Sequence, residues 1–245
     1  MEARNLKLVV EYDGTDFFGY QKQPGKRTVQ GELEKAFARI CGERVKIAAA
    51  GRTDAGVHAV GQVISFRTSG SIPLERIAKA ANSVLPPDVA VKSAEEVPED
   101  FHARYSAKSR VYRYTIVESP TRLPLIGRYA HVVGTRVDEK LMAEAAKLFI
   151  GEHDFRGFAI VEDDKSSVRQ VKRFDVVRRG RIVEVTIEAN AFLRSMARFL
   201  VSALLKLSEQ SMSVEDLMRI LNTGERCETL RPAPPQGLCL VKVNY

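Results

Sequence analysis

Residues 51–59 read Gly-Arg-Thr-Asp-Ala-Gly-Val-His-Ala and hold the side chains best suited to chemistry. An arginine next to a carboxylate keeps it ionised, so Arg52 can pair with Asp54. An ionised Asp54 can then act as a nucleophile or a base without a cofactor. His58 can shape the same site, although a structural, hydrogen-bonded imidazole is the commoner role. Asp and Gly also favour ordinary turns, so this segment alone leaves a plain turn as an alternative.

A second candidate is the basic and aromatic segment Arg110-Val-Tyr-Arg-Tyr114. On a strand, Tyr112 and Tyr114 point to the same face of the sheet. An aromatic ring within a basic stretch can stack on an unpaired base. Packing in the core is the favoured role for Tyr114, whereas the residue pattern leaves both roles open for Tyr112.

A third candidate is the segment 192–198, Phe-Leu-Arg-Ser-Met-Ala-Arg. We expect it to lie on a helix over 191–207, with Phe192 and Met196 in an apolar stripe. Arg194 and Arg198 are four residues apart and would share the opposite face. Two guanidinium groups on one helix face suit phosphates or a carboxylate, and a solvated surface is the alternative.

These segments need a scaffold that holds them, and the element order predicts one. The pattern predicts strands and helices in the order β-α-β-β-α-β in the first half, and the second half repeats it. The predicted strands are 6–13, 44–50, 61–68, 89–97, 109–118, 168–178, 182–189 and 237–243. The predicted helices are 28–41, 73–85, 138–150, 191–207 and 214–222. Thr28 would cap the first helix, Pro73 would begin the second, and the 168–189 hairpin would turn at Arg179-Gly180.

The fold class is therefore α+β. We expect two ferredoxin-like halves, joined into one long antiparallel sheet with helices on one face and a central cleft. Because the pattern breaks near residues 98–108, the boundary is placed between an N-terminal half, 1–104, and a C-terminal half, 105–245.

Charge and composition bound the class of partner. The 245 residues include 38 Lys and Arg against 31 Asp and Glu, a net charge of +7. The excess is concentrated in 101–136 and 169–181, which favours an anionic partner such as nucleic acid. No metal-ligand spacing, phosphate-binding glycine motif, signal peptide or membrane-spanning run is present. We therefore expect a cytoplasmic protein that needs no metal and no membrane.

Taken together, these segments resemble the TruA family of tRNA pseudouridine synthases. The Asp54 segment is similar to that family's catalytic motif, and residues 12–24 are similar to its N-terminal loop. Further similar segments are Asp100–Arg104 with Tyr112–Tyr114, Phe192–Arg198 and the closing Pro235–Leu240. The sequence departs from the family's usual pattern at Tyr20, where Trp is common, at 169–171 and at Ala197.

The resemblance implies a role for each matching residue. Asp54 is the catalytic aspartate, and Arg52 pairs with it and displaces the target base. Tyr112 stacks on the flipped uracil, Arg198 bridges to the catalytic carboxylate, and Leu238 lines the pocket. Further substrate-binding candidates are Arg110, Arg194 and His58. The resemblance also implies a cofactor-free homodimer that modifies the tRNA anticodon stem-loop, at positions 38–40.

Two alternatives stay open at this stage. The chain could be a non-catalytic RNA-binding module of paired ferredoxin-like domains, with exposed aromatic rings on its sheet. It could also be an Asp-dependent hydrolase, which would require a second carboxylate or a metal. Asp163 and Asp164 are candidates for that second carboxylate, although they lie in an acidic segment typical of a solvated loop.

Overall fold

The structure is a computed structural model that describes residues 3–161 and 166–245, and it contains two compact units. The first unit runs to Lys108 and includes the C-terminal segment Leu240–Tyr245. The second unit is Ser109–Cys239. The chain thus leaves the first unit once and returns to it for its last residues.

The first unit is a sheet with two helices. Its strands are β1 (Arg4–Tyr12), β2 (Ala48–Ala49), β3 (His58–Thr68) and β4 (Val89–Val97), and its helices are α1 (Val29–Cys41) and α2 (Leu74–Asn82). The strand order is β4-β1-β3, with β2 beside β3, and these neighbours are antiparallel. This is the strand order of a split βαβ fold.

Local sequence explains why these elements form. The inward side chains of β1, Leu6, Leu8 and Val10, are fully buried, as period-2 alternation requires. Helix α1 begins at a cap, since the Thr28 hydroxyl accepts a hydrogen bond from the Gly31 N–H at 3.3 Å. It ends at Gly42, whose φ of 72° lies in the left-handed region that favours glycine.

The described residues of the second unit form a long β-hairpin, further strands and three α-helices. Its strands are β5 (Ser109–Glu118), β6 (His131–Val133), β7 (Gly151–Asp154), β8 (Val168–Arg179) and β9 (Ile182–Ala189), and its helices are α3 (Glu139–Ala146), α4 (Met196–Ser208) and α5 (Val214–Thr223). The order β5-β9-β8-β7 is antiparallel, and β6 lies parallel to β5. The last strand, β10 (Leu238–Asn244), begins in this unit and continues into the first.

The predicted α+β class is confirmed, and most elements lie where the pattern placed them. Strands β4 and β5 have the predicted bounds, and the hairpin turns at Gly180, whose φ is 62°. The strand predicted over 44–50 is shorter, since only Ala48 and Ala49 pair with β3. The helix predicted over 138–150 ends at Ala146 and continues as one 3₁₀ turn. The boundary at residue 104 and the cleft between the halves stay predictions.

One difference affects a candidate site. Helix α4 begins at Met196, not at residue 191, so Phe192 and Arg194 precede it. The Ile160 N–H donates to the Arg194 carbonyl at 3.0 Å in an isolated β-bridge, and Ser195 has a φ of 59°. A bridged backbone followed by a left-handed residue cannot be helical. The prediction that Arg194 and Arg198 share a helix face is therefore wrong.

Across 3–161 and 166–245, no helix is both long enough and apolar enough to cross a bilayer.

Candidate active site

The Asp54 turn connects β2 to β3 and is held in place through its neighbours. The Tyr12 hydroxyl lies 2.8 Å from Thr53 Oγ1, and the Tyr20 N–H donates to the Thr53 carbonyl at 3.0 Å. Gln62 Nε2 donates to the Gly51 carbonyl at 2.8 Å. Thr53 is buried, whereas Asp54, the next residue, is half-buried. Neighbouring residues thus fix the turn, while Asp54 itself is only partly buried.

Backbone contact with the loop over residues 13–28 fixes the turn further. A Cβ on Gly14 would lie 2.0 Å from the Val57 carbonyl oxygen. At Gly19, where φ is 90°, a Cβ would lie 2.9 Å from the Thr53 carbonyl oxygen. Only glycine permits this approach at either position. Gly56, within the turn, has a φ of 76°, whereas the close contacts of Gly14 and Gly19 were not predicted from the sequence.

His58 lies at the start of β3 and is buried, with 6% of its surface exposed. Its Nδ1 accepts a hydrogen bond from the Gly14 N–H at 3.0 Å and lies 3.2 Å from Asp13 Oδ1. One ring nitrogen cannot accept from an amide and donate to a carboxylate at once, and the amide contact is the shorter. His58 therefore joins the loop to the turn, which is the commoner structural role.

Arg52 is exposed to solvent. Within the described part of the chain it forms no ion pair, so the pairing with Asp54 expected from their spacing is not present. Arg52 is long enough to reorient when an anion is present.

The second group of candidates lies in the other unit, around β5. Tyr112 has 6% of its surface exposed, and its ring meets the Phe192 ring edge-on at 4.9 Å. Tyr114 is fully buried, and its hydroxyl donates to the Pro234 carbonyl at 2.9 Å. Burial raises the pKa of Tyr114 well above its usual value, and the Arg198 charge opposes that rise in pKa. Tyr114 thus takes the core role that was favoured for it.

Arg198 is fixed at both its side chain and its backbone. Its Nε donates to the Ala233 carbonyl at 2.7 Å, and the Ala233 N–H donates back to the Arg198 carbonyl at 3.1 Å. Leu238 is buried and follows this segment at the start of β10. Gly237 packs on Tyr114, where a Cβ would lie 2.6 Å from the ring. Tyr114 therefore links the Arg198 segment to β5, a role the sequence pattern did not reveal.

Arg110 and Arg194 differ in burial. Arg110 is buried, and its Nη1 donates to the Asn190 carbonyl at 2.8 Å. Arg194 is exposed and lies before α4, so it is not placed beside Arg198 by a shared helix face. Arg110 thus has a structural contact, whereas Arg194 extends into solvent.

The hydrolase alternative requires a metal or a second carboxylate. Among residues 3–161 and 166–245, no three His, Cys, Asp or Glu side chains gather as a metal would require. Asp163 and Asp164, the carboxylates that a hydrolase would use, lie outside the described residues.

The fold and the two groups of residues define an α+β enzyme built on a split βαβ unit, with its acidic residue on a rigid turn. The sequence matches the family described as tRNA pseudouridine synthase over residues 8–106 and 145–245, and the chain belongs to that family. These ranges include Asp54 and Arg198, whereas Tyr112 lies between them. The resemblance to the TruA family is thereby confirmed.

Relatives of similar length support the assignment. Proteins named tRNA pseudouridine synthase A are 39% identical in Caldicellulosiruptor bescii, 40% in Citrifermentans bemidjiense and 41% in Clostridium botulinum. Each alignment covers 99% of this chain and between 98% and 100% of the relative. An archaeal box H/ACA sRNP Nop10-Cbf5 complex aligns with a TM-score of 0.36 at 15% identity, over 82% of this chain and 43% of that one. The names of the relatives disfavour a non-catalytic RNA-binding module.

Proposed function

We propose that the chain isomerises uridine to pseudouridine in tRNA, with Asp54 as the residue that begins the reaction. Membership of the tRNA pseudouridine synthase family supports the reaction. The relatives are named for tRNA, and the net charge of +7 suits a polyanion. The observation that carries the role of Asp54 is its position, half-buried on a turn that three hydrogen-bonding neighbours, Tyr12, Tyr20 and Gln62, hold rigid.

The reaction breaks the N1–C1′ bond of uridine and forms a C5–C1′ bond to the same base. Asp54 either attacks C1′, or removes the 2′ proton to give a glycal-like intermediate. The detached base turns and C5 bonds to C1′. In the first route this breaks the Asp54–C1′ bond, and in the second Asp54 returns the proton to C2′. The C5 proton then leaves to a general base, and N1 gains a proton. Atoms and electrons balance without an oxidant or an energy source. Reaching the sugar requires the nucleotide to leave its stack.

The other site residues take supporting roles in this proposal. Tyr112 packs against the flipped uracil, and Leu238 closes the apolar side of its pocket. Arg198 stabilises the negative charge on the carboxylate and base, because its guanidinium is already fixed by Ala233. Arg52 occupies the position in the RNA stack that the target uracil vacates. The residues proposed to bind the substrate backbone or shape its site are Arg110, Arg194 and His58.

The proposal extends to the substrate region, the assembly and the place of action. We expect the anticodon stem-loop, positions 38–40, to be modified by a homodimer in the cytoplasm. The basic segments 101–136 and 169–181 supply the charge for the phosphate backbone.

The test is Asp54→Asn, assayed by tritium release from tRNA that carries C5-labelled uridine. We expect turnover to fall at least about a thousandfold, since the amide can neither attack C1′ nor accept the 2′ proton. Binding of tRNA should stay within about threefold of the wild type, because the change is nearly isosteric.

The matched control is Glu96→Gln, which removes an exposed carboxylate from the same unit. It should retain full turnover. Thermal unfolding of both variants shows whether either one has lost its fold. If Asp54→Asn remains folded and releases tritium at the wild-type rate, Asp54 is not the catalytic residue.

A further inference from the structure

Phe18 is an exposed aromatic ring beside the Asp54 turn. About half of its surface, 54%, is open to solvent, whereas Phe17, its neighbour, is 3% exposed. Single exposed apolar side chains are normal on proteins, so exposure alone carries no function. The ring also lies on a rigid loop, next to a positive charge and in front of an open depression.

The loop that carries Phe18 is rigid. The Phe18 N–H donates to the Arg27 carbonyl at 2.9 Å, and its carbonyl accepts from Gln23 Nε2 at 3.0 Å. The Arg27 guanidinium lies over the buried Phe17 ring at 4.1 Å and forms two hydrogen bonds to Asp88, at 2.7 and 2.8 Å. A loop fixed at these points holds Phe18 outward, so little conformational entropy is lost when a ligand meets the ring.

A lysine stands next to the ring. Lys26 Nζ lies 4.4 Å from the Phe18 ring centroid and, within residues 3–161 and 166–245, forms no ion pair. Lys22, in the same loop, is instead neutralised by Glu34 at 2.9 Å. The two lysines have equal formal charge, but only Lys26 combines an available positive charge with an aromatic ring.

The space in front of Phe18 continues to the catalytic turn. It is an open depression of about 490 Å³, lined by Thr15, Asp16, Phe17, Phe18, Ala55 and Gly56. Ala55 and Gly56 directly follow Asp54. The Asp16 carboxylate on the rim disfavours a phosphate inside the depression and leaves a neutral, flat group as the better occupant. A phosphate can lie outside it, next to Lys26.

We propose that Phe18 and Lys26 form a binding site for an unpaired nucleotide of the substrate tRNA next to the target uridine. The base stacks on the Phe18 ring within the depression, and Lys26 contacts its phosphate. The proposal rests on the proposed function, because the proximity of Asp54 is what makes this nucleotide a neighbour of the target. The site would hold the flanking strand while the uridine is out of its stack.

The test of stacking measures the binding of an unmodified tRNA transcript to Phe18 variants made in the Asp54→Asn background. Stacking on an aromatic side chain predicts roughly a five- to hundredfold weaker affinity for Phe18→Ala. Phe18→Leu keeps an apolar side chain but no aromatic face, so it should bind as weakly as Phe18→Ala. Phe18→Trp should restore the affinity to within about threefold of the parent. Affinity equal to the parent in Phe18→Leu overturns the stacking role.

The test of the phosphate contact compares Lys26→Met with Lys22→Met. Loss of one phosphate contact reduces the slope of log affinity against log salt by roughly 0.7–0.9. We expect that reduction for Lys26→Met and a clearly smaller one for Lys22→Met, although both remove one positive charge. Equal effects of the two substitutions would mean a general charge contribution and would overturn the assignment of Lys26.

These binding measurements fail independently of the proposed function. If Asp54→Asn retains turnover, the proposed role of Asp54 is wrong, while the comparison of Phe18 variants still decides whether the ring binds RNA. If the Phe18 and Lys26 substitutions leave tRNA affinity and its salt dependence unchanged while Asp54→Asn is inactive, the nucleotide site is wrong and the catalytic role stands.

Discussion

Asp54 and Arg198 are held by different kinds of structure in the two units. The Asp54 turn is fixed mostly through its backbone, by hydrogen bonds from Tyr20 and Gln62 and by the close approach of Gly14. Arg198 is fixed through its own guanidinium, which donates to Ala233, within a region of packed apolar and aromatic side chains. The position of Asp54 is therefore set mainly by the backbone around it, whereas that of Arg198 is set mainly by the contacts of its own side chain.

The two regions should therefore tolerate different substitutions. A turn fixed by backbone contact depends on residues that lack a side chain, so the largest effects should come from adding atoms at its glycines. A guanidinium fixed by its own hydrogen bond depends on keeping that group, so the largest effects should come from removing it. The following predictions test this contrast.

The largest effect is expected for Arg198→Ala. If Arg198 stabilises the developing negative charge as proposed, removing its fixed guanidinium should lower kcat about 10²–10³-fold, with a much smaller change in KM. Steady-state tritium release at varied tRNA concentration measures both. Arg219→Ala, which removes a surface arginine of α5, should leave both constants unchanged. A rise in KM alone would show that Arg198 binds a phosphate instead.

The next effect is expected for Gly14→Ala in the other unit. Its Cβ would overlap the Val57 carbonyl, so we expect a loss of about 2–3 kcal/mol in the free energy of unfolding and a fall in turnover. Gly25→Ala is the matched control, because Gly25 has a φ of 68° but no atom within 4 Å. It should cost about 1 kcal/mol, from the backbone alone. Equal costs would mean that the turn does not depend on close approach.

A charge network in the second unit tests whether stability and catalysis are separable there. Arg178 forms hydrogen bonds to Glu118, at 2.8 and 2.9 Å, and to Glu139, at 2.9 Å. We expect Arg178→Gln to lower the free energy of unfolding by about 1–2 kcal/mol and to leave kcat unchanged. A fall in kcat at a temperature where the variant is folded would show that this network also affects catalysis.

The same network predicts a pH dependence. Hydrogen bonds from Arg178 lower the pKa of Glu118 below its ordinary value of 4.5, and the pKa of Glu139 falls for the same reason. Because the folded pKa lies below the unfolded one, this stabilisation is present above about pH 4.5 and is lost as the pH falls further. Denaturant unfolding from pH 6 to pH 3 should therefore show a shallower loss for Arg178→Gln than for the wild type.

The smallest effect is expected for Tyr114→Phe. The variant loses only the hydroxyl that donates to Pro234 and keeps the ring that packs on Gly237. We expect about 1 kcal/mol less stability, from an unpaired carbonyl, and little change in kcat. Tyr129→Phe, on an exposed tyrosine, is the control and should cost less. A large fall in kcat for Tyr114→Phe would mean that the hydroxyl, not the ring, aligns the Arg198 segment.

The sequence predicted much of the fold because strong local signals and tertiary packing agree. Strands β4 and β5 have the predicted bounds, since alternation and flanking breakers coincide there. Helix α1 begins at the predicted cap. At α4 the two disagree: residues 191–195 have a helical pattern, but the bridge to Ile160 holds them in a non-helical form. A contact between residues so far apart in the chain leaves no mark on local periodicity.

For the candidate site, the chemical groups and the family could be predicted from the amino-acid sequence alone. The motif around Asp54, with the later segments, indicated the tRNA pseudouridine synthase family because five matched segments in one order carry more information than any single spacing. Residue types and local patterns are properties of the chain, so the catalytic candidates and the α+β class could be predicted from them.

The way in which those groups are held became visible in the folded structure. It buried His58 against Gly14, left Arg52 in solvent, and tied Arg198 to Ala233. It also showed that Gly14 and Gly19, rather than residues of the motif alone, set the Asp54 turn. The physical reason is that these contacts join segments distant in sequence, and their energies depend on distances that exist only once the chain has folded.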